Sequence, residues 1–197
     1  MSIRTTLSIL AILSLATATG CDIRGGTNGD DDDDASGLGG LDANGDGVLT
    51  DDDLQTGTSG LYTTTSDGDG ETEAGETFTN AWLGSGDGAW SLNANSNGSI
   101  PMSLAMWFVD PGPDDWELSV GSGDVNYVSA SSELYLLWAD SVDGSMEITD
   151  VTGDNASGYF DGSVTLIVAD QFESPTGQTV TIEGFAFNEL SMGLDAQ

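Results

Sequence analysis

The 197-residue sequence has no histidine, no lysine and two arginines, Arg4 and Arg24. Without histidine and lysine there is no Ser-His or Cys-His nucleophile, no histidine zinc site, no Schiff base and no P-loop chemistry. Cysteine occurs once, at Cys21, so the chain forms no internal disulfide. Acidic residues abound: 34 Asp and Glu give a formal net charge of −32. Nothing in that balance neutralises phosphates, which excludes a nucleic-acid binder. The same balance argues against docking to anionic lipid through a basic patch. What remains is carboxylate, hydroxyl and amide chemistry, the donor set of hard, oxygen-seeking cations.

Residues 1–20 read MSIRTTLSILAILSLATATG. Arg4 supplies a positive start, and Leu7 to Ala18 is an apolar stretch too short to span a bilayer as a helix. This is the pattern of a secretory signal, to be set apart from fold reasoning. The ending Ala18-Thr19-Gly20-Cys21 resembles the bacterial lipobox, with Ala18 where most lipoboxes have Leu. The resemblance implies a diacylglyceryl thioether and an acylated amine on Cys21, which becomes the first mature residue. Several acyl chains on one residue give stable membrane anchoring. The expected address is the cell envelope. Asp22 resembles an inner-membrane retention signal of enteric bacteria, which leaves the final membrane open. The outer membrane or cell surface is favoured over the inner membrane.

Residues 21–40 read as an acidic, Gly- and Asp-rich linker with almost nothing to bury. The run Asp30 to Asp34 repels itself and extends the chain, so a disordered tether is expected rather than a cation site.

Residues 41–57 carry the most specific pattern. Asp42, Asn44 and Asp46 alternate, Gly47 follows, and then come Val48, Leu49, Thr50 and Asp53. Alternate short oxygen side chains converge on one centre when a left-handed turn at the glycine folds the backbone round it. The expected calcium ligands are Asp42, Asn44, Asp46, the Val48 carbonyl, Thr50 and Asp53. Leu49 is the apolar residue that pins the loop. Calcium accepts irregular oxygen cages, whereas magnesium demands octahedra and keeps its waters. The pattern resembles the EF-hand loop, and Asp53 at its last position makes it similar to the bacterial dockerin-type repeat. Two departures stand out. No second copy follows, and the entering segment Ala35 to Leu41 holds three glycines, a poor helix. Thr50 is expected to cap a short helical turn ending near Leu54 or Gln55.

Residues 60–197 are long enough for one domain with a core. About ten apolar runs rich in Val, Ile, Thr and aromatics alternate with Gly/Asp/Ser/Asn clusters, and none keeps a helical period. An all-β fold is expected, an antiparallel sandwich or barrel of about ten short strands. Trp116 to Val120 is one of those runs. Met102 to Val109 has apolar residues on both parities, which predicts a strand covered on both faces. Val180 and Ile182 share one parity, Phe185 and Phe187 the other, so a bulge beside Gly184 is expected. Residues flanking Asp161-Gly162 read as one long strand in preference to a hairpin. Most of the five tryptophans are expected in the core, with Trp116 nearest a rim. Asp67, Asp69 and Glu71 read as a solvated turn.

The function expected from these residues is non-enzymatic: a lipid-anchored envelope protein with one calcium loop and a β-domain for adhesion or binding. The alternative is a carbohydrate-binding module or a glycan-acting hydrolase on the cell surface. Acidic residues are too abundant for the sequence to single out a catalytic pair.

Overall fold

The computed structural model describes residues 40–86, 89–95, 102–112, 117–132 and 135–194. The signal segment, Cys21, the linker through residue 39 and Trp116 lie outside the described residues. Among the described residues no helix is long and apolar enough to cross a membrane.

The described residues form nine strands: β1 (Thr58–Ser66), β2 (Glu71–Phe78), β3 (Asn80–Gly86), β4 (Ala89–Asn95), β5 (Met102–Val109), β6 (Gly121–Ser132), β7 (Tyr135–Thr152), β8 (Asn155–Asp170) and β9 (Pro175–Leu194). Their order in the sheet is β2-β1-β9-β3-β4-β5-β6-β7-β8, and β9 also pairs with β8. The sheet therefore closes on itself through β9. One edge of β9 meets β8. The other meets β1 and then, at its C-terminal end, β3. All pairings are antiparallel except this last one, where Leu83–Ser85 run parallel to Met192–Leu194. Closure removes the edges that an open sheet would offer to other chains. Among the described residues β2 keeps an unpaired edge, and its exposed Glu71 and Glu73 put charge there, which discourages edge-to-edge pairing.

The all-β architecture of about ten strands read from the sequence is the one found, with several strands longer than expected. The runs around Leu136 and Ile148 belong to one strand of 18 residues, β7. Bulges at Ala139/Ser141 and Ile148/Asp150 let it change parity without ending. The segment 117–120 is not a strand, although Leu118 is buried in the core. The stretch around Asp161-Gly162 is continuous strand within β8, as preferred.

The core lies inside the closed sheet. Leu83, Trp90, Leu92, Met106, Phe108, Val128, Met146, Val164, Ile182, Phe185 and Phe187 meet there, all but inaccessible to solvent. Each such side chain contributes about 1.5–3 kcal/mol by leaving water. Val180 and Ile182 join Phe185 and Phe187 on this inner face because the β1–β9 register slips beside Gly184: Tyr62 faces Gly184, and Thr63 faces Ile182. The expected bulge is therefore present. The two-sided burial expected of β5 is not. Leu104, Met106 and Phe108 point inward, whereas Trp107 and Val109 are 38% and 41% exposed on the outer face. A closed sheet has one interior, and among the described residues no second layer covers the outside of β5. Trp90 is a core residue, but Trp82 is also 38% exposed, so the tryptophans divide between interior and surface.

One pair of glycines lets β7 and β8 approach closely. Gly144 and Gly162 face each other across the ladder, with φ of +153° and +154°. A Cβ on Gly162 would lie 2.3 Å from the Asp143 carbonyl oxygen and 2.5 Å from the Gly144 Cα. The Phe160 ring covers the pair from the core side, 2.9 Å from either added Cβ. Glycine kinks covered by an aromatic ring are a recurring means of curving a sheet.

Candidate functional site

Residues 42–53 form a compact ring. Gly45 and Gly47 take φ of +74° and +85°, a region open to glycine and costly for other residues. The turn they make lets side chains fold inward onto loop amides. Asp42 Oδ1 accepts from Gly45 N at 2.6 Å, and Oδ2 accepts from Gly47 N at 2.8 Å. Asn44 Oδ1 accepts from Asp46 N at 2.8 Å, and Asp46 Oδ1 accepts from Val48 N at 2.9 Å. Asp53 reaches back across the ring, its Oδ1 accepting from Ala43 N at 3.1 Å and from Asn44 N at 3.3 Å. Its Oδ2 accepts from Thr50 N and Thr50 Oγ1, at 2.9 and 3.0 Å. The Val48 side chain points to solvent. Five of the six residues expected as ligands are thus gathered by side-chain hydrogen bonds within one loop.

The exit is shorter than a helix. Thr50, in extended backbone, precedes a single 3-10 turn at Asp51–Asp53, and Leu54 ends it. The loop is fastened to the barrel at three kinds of contact. Leu49 and Leu54 are buried against Tyr62 of β1 and Ala186 of β9, with Leu41 and Tyr159 packed beside them. The seat depends on Gly60, where an added Cβ would come within 2.9 Å of Leu54 Cδ2. Asn188 of β9 donates from Nδ2 to the Leu54 carbonyl at 2.8 Å and accepts Gly57 N on its own carbonyl at 2.7 Å. Thr149 Oγ1 of β7 donates to Asp51 Oδ2 at 2.7 Å. Sequence reading anticipates Leu49 as the pin. It gives no sign of Asn188 or Thr149, whose roles exist only once β7 and β9 are placed.

Burial holds the Tyr62 phenol well above its usual pKa, with the carboxylates of Glu73 and Glu183 adding to the effect. It stays neutral beneath the loop at physiological pH.

The donor chemistry of the ring is all oxygen: three carboxylates, one carboxamide, one hydroxyl and the Val48 carbonyl. That set suits calcium and does not suit thiophilic or imidazole-seeking metals. Among the described residues, however, no three acidic, histidine or cysteine side chains are drawn together as a metal-holding group. The carboxylates of the ring accept backbone amides instead. Asp67 and Asp69 form the β1–β2 turn, with Asp69 N donating to Asp67 Oδ1 at 3.0 Å, as a solvated turn would.

The chain matches no family model, no curated protein and no solved structure.

Proposed function

We propose that this chain is a lipid-anchored bacterial envelope protein, tethered through Cys21, whose β-domain is a non-catalytic module for adhesion or binding. A calcium loop made by Asp42, Asn44, Asp46, the Val48 carbonyl, Thr50 and Asp53 braces its membrane-proximal end. The observation that supports the reading most is the ring itself. Four acidic or amide side chains turn inward round Gly47, and the ring is seated on the barrel by Leu49 and Leu54. Bound calcium would supply positive charge among three carboxylates. The residues themselves hold the ring's shape and transmit it to β1 and β9. A single extracellular site of this kind binds at about 10⁻⁴–10⁻³ M, which suits bracing rather than signalling.

Calorimetry on the mature chain is expected to show one main calcium site in that range. Asp42→Ala combined with Asp46→Ala is expected to abolish it. Equal binding by the double variant would end the assignment. Saturation should also raise stability, by about 2.7 kcal/mol at a hundredfold excess over the dissociation constant. The anchor is checked separately. Mass spectrometry of the mature N-terminus is expected to show an acylated Cys21, and Cys21→Ser is expected to leave the membrane fraction. An unmodified chain starting elsewhere refutes the anchor.

A further inference from the structure

Acidic residues are distributed unevenly over the barrel. The strands β3, β4 and β5 contain none, and β6 contains one, Asp124. In a chain with a net charge of −32 this is an uncharged face. Its outward residues follow from the register. One cross-strand row runs Trp82, Asn93, Ala105, Ser129, Trp138. The neighbouring rows hold Asn95, Ser103 and Ser131 on one side, and Ser91, Trp107 and Tyr127 on the other. Small residues occupy the middle of the first row and indoles its two ends. Beside Trp82 lies an open groove of about 260 Å³, lined by Trp82, Asn93, Asn95, Ser103, Ser129 and Ser131 among others.

Resting on the reading of the β-domain as a binding module, we propose that this groove takes a neutral glycan strand. Three features favour that occupant. The lining pairs an aromatic face with hydroxyls and carboxamides, which matches a sugar ring's apolar face and its hydroxyl rim. The carboxamides are held in place: Asn93 Nδ2 donates to Ser91 Oγ at 3.0 Å, and Ser103 Oγ donates to Asn95 Oδ1 at 2.6 Å. That arrangement turns the Asn93 oxygen to service as an acceptor and the Asn95 nitrogen as a donor, two residues apart on one strand. Finally, the field of the whole molecule repels anions, so an acidic polysaccharide is disfavoured and a neutral one is not. A second copy of the chain fits the groove less well. It would desolvate five hydroxyl and amide side chains without bringing matching hydroxyls of its own.

The mature chain, made soluble by replacing Cys21 with Ser, tests this by affinity electrophoresis in gels containing hydroxyethyl cellulose, xylan, galactomannan, mixed-linkage β-glucan or soluble starch. Polygalacturonate serves as the acidic control. Retardation by at least one neutral polymer and none by polygalacturonate is expected. Trp82→Ala and Asn93→Ala should each weaken binding by about tenfold or more, as loss of an anchoring side chain does. Trp82→Phe should restore part of it. The unfolding midpoints of these variants should match the parent, since both side chains lie on the outer face. Binding is expected to persist in EDTA and in Asp42→Ala, which separates this groove from the calcium loop. Absence of retardation in every neutral gel overturns the proposal. So does parent-like binding by Trp82→Ala, or loss of binding in EDTA. A dimer in sedimentation that Trp82→Ala dissociates, without glycan binding, would assign the face to self-association instead. In that case, and in the case of no glycan binding, the calcium calorimetry stands on its own result.

Discussion

Alanine at Gly162 is expected to destabilise the barrel by about 3–4 kcal/mol, a large part of a typical domain's total stability of about 5–15 kcal/mol. The added methyl would stand 2.3 Å from the Asp143 carbonyl oxygen and 2.5 Å from the Gly144 Cα. Both obstacles are backbone, so no rotamer change relieves them. Gly144→Ala meets the mirror of the same problem, 2.5 Å from the Asp161 carbonyl oxygen. Moving β7 and β8 apart would break their ladder and lift Phe160 from the pair. Gly153 is the control. It has φ of +62°, yet a Cβ there meets nothing within 4 Å. Gly153→Ala should therefore cost only the left-handed backbone term, about 1 kcal/mol. Urea unfolding followed by tryptophan fluorescence should place the Gly162→Ala midpoint far below the parent and the Gly153→Ala midpoint close to it. Equal midpoints for the two variants would show that the β7–β8 contact is not fixed as described.

Raising NaCl from about 50 mM to 1 M, with EDTA present, is expected to raise the thermal midpoint by about 5 °C or more. Residues 60–197 contain 14 Asp and 9 Glu, 23 carboxylates, and no Lys, Arg or His. No side chain there can answer a carboxylate with a positive charge. Glu73 and Glu183 illustrate the result, two carboxylates placed near the same phenol. Like-charged neighbours cost a few tenths of a kcal/mol per pair, so a surface of them costs about 2 kcal/mol. Salt shortens the screening length from about 10 Å at 0.1 M to about 3 Å at 1 M. For a domain of this size, about 2 kcal/mol corresponds to several degrees in midpoint. The Asp42→Ala, Asp46→Ala chain should respond as the parent does, because this effect is spread over the barrel. A midpoint that stays flat or falls would mean that backbone and hydroxyl donors already compensate these carboxylates.

The sequence makes some of this fold legible through side-chain parity. The switch between Ile182 and Phe185 can be read as a bulge because both sets must face one interior. Leu49 can be read as a pin because an oxygen-lined loop has no other use for an apolar residue at its centre. Parity fails where a strand is apolar on both sides. Trp107 and Val109 alternate with Leu104, Met106 and Phe108, and nothing local distinguishes a second covering layer from an exposed aromatic face. It fails again in β7, where Asp143-Gly144 has the composition of a turn. There the glycine is needed for close approach to Gly162 rather than for reversal. The site divides the same way. The ring from Asp42 to Asp53 is local and can be read along the chain. The clamp by Asn188 spans 134 positions and depends on topology.

Among the described strands β9 comes last along the chain, and it is the one that closes the sheet. Until it arrives, β1 has a single partner and β3 an open side. Thr58 must wait for Asn188, and the leftover edges of β3 and β8 stay unpaired. Contacts at such separation form slowly, since chain ends must first find each other. The consecutive pairs β1–β2 and β3 through β8 can form earlier, but the sheet stays unclosed until β9 is in place. Open strands invite aggregation. The many carboxylates that weaken the finished barrel keep its unfinished copies apart.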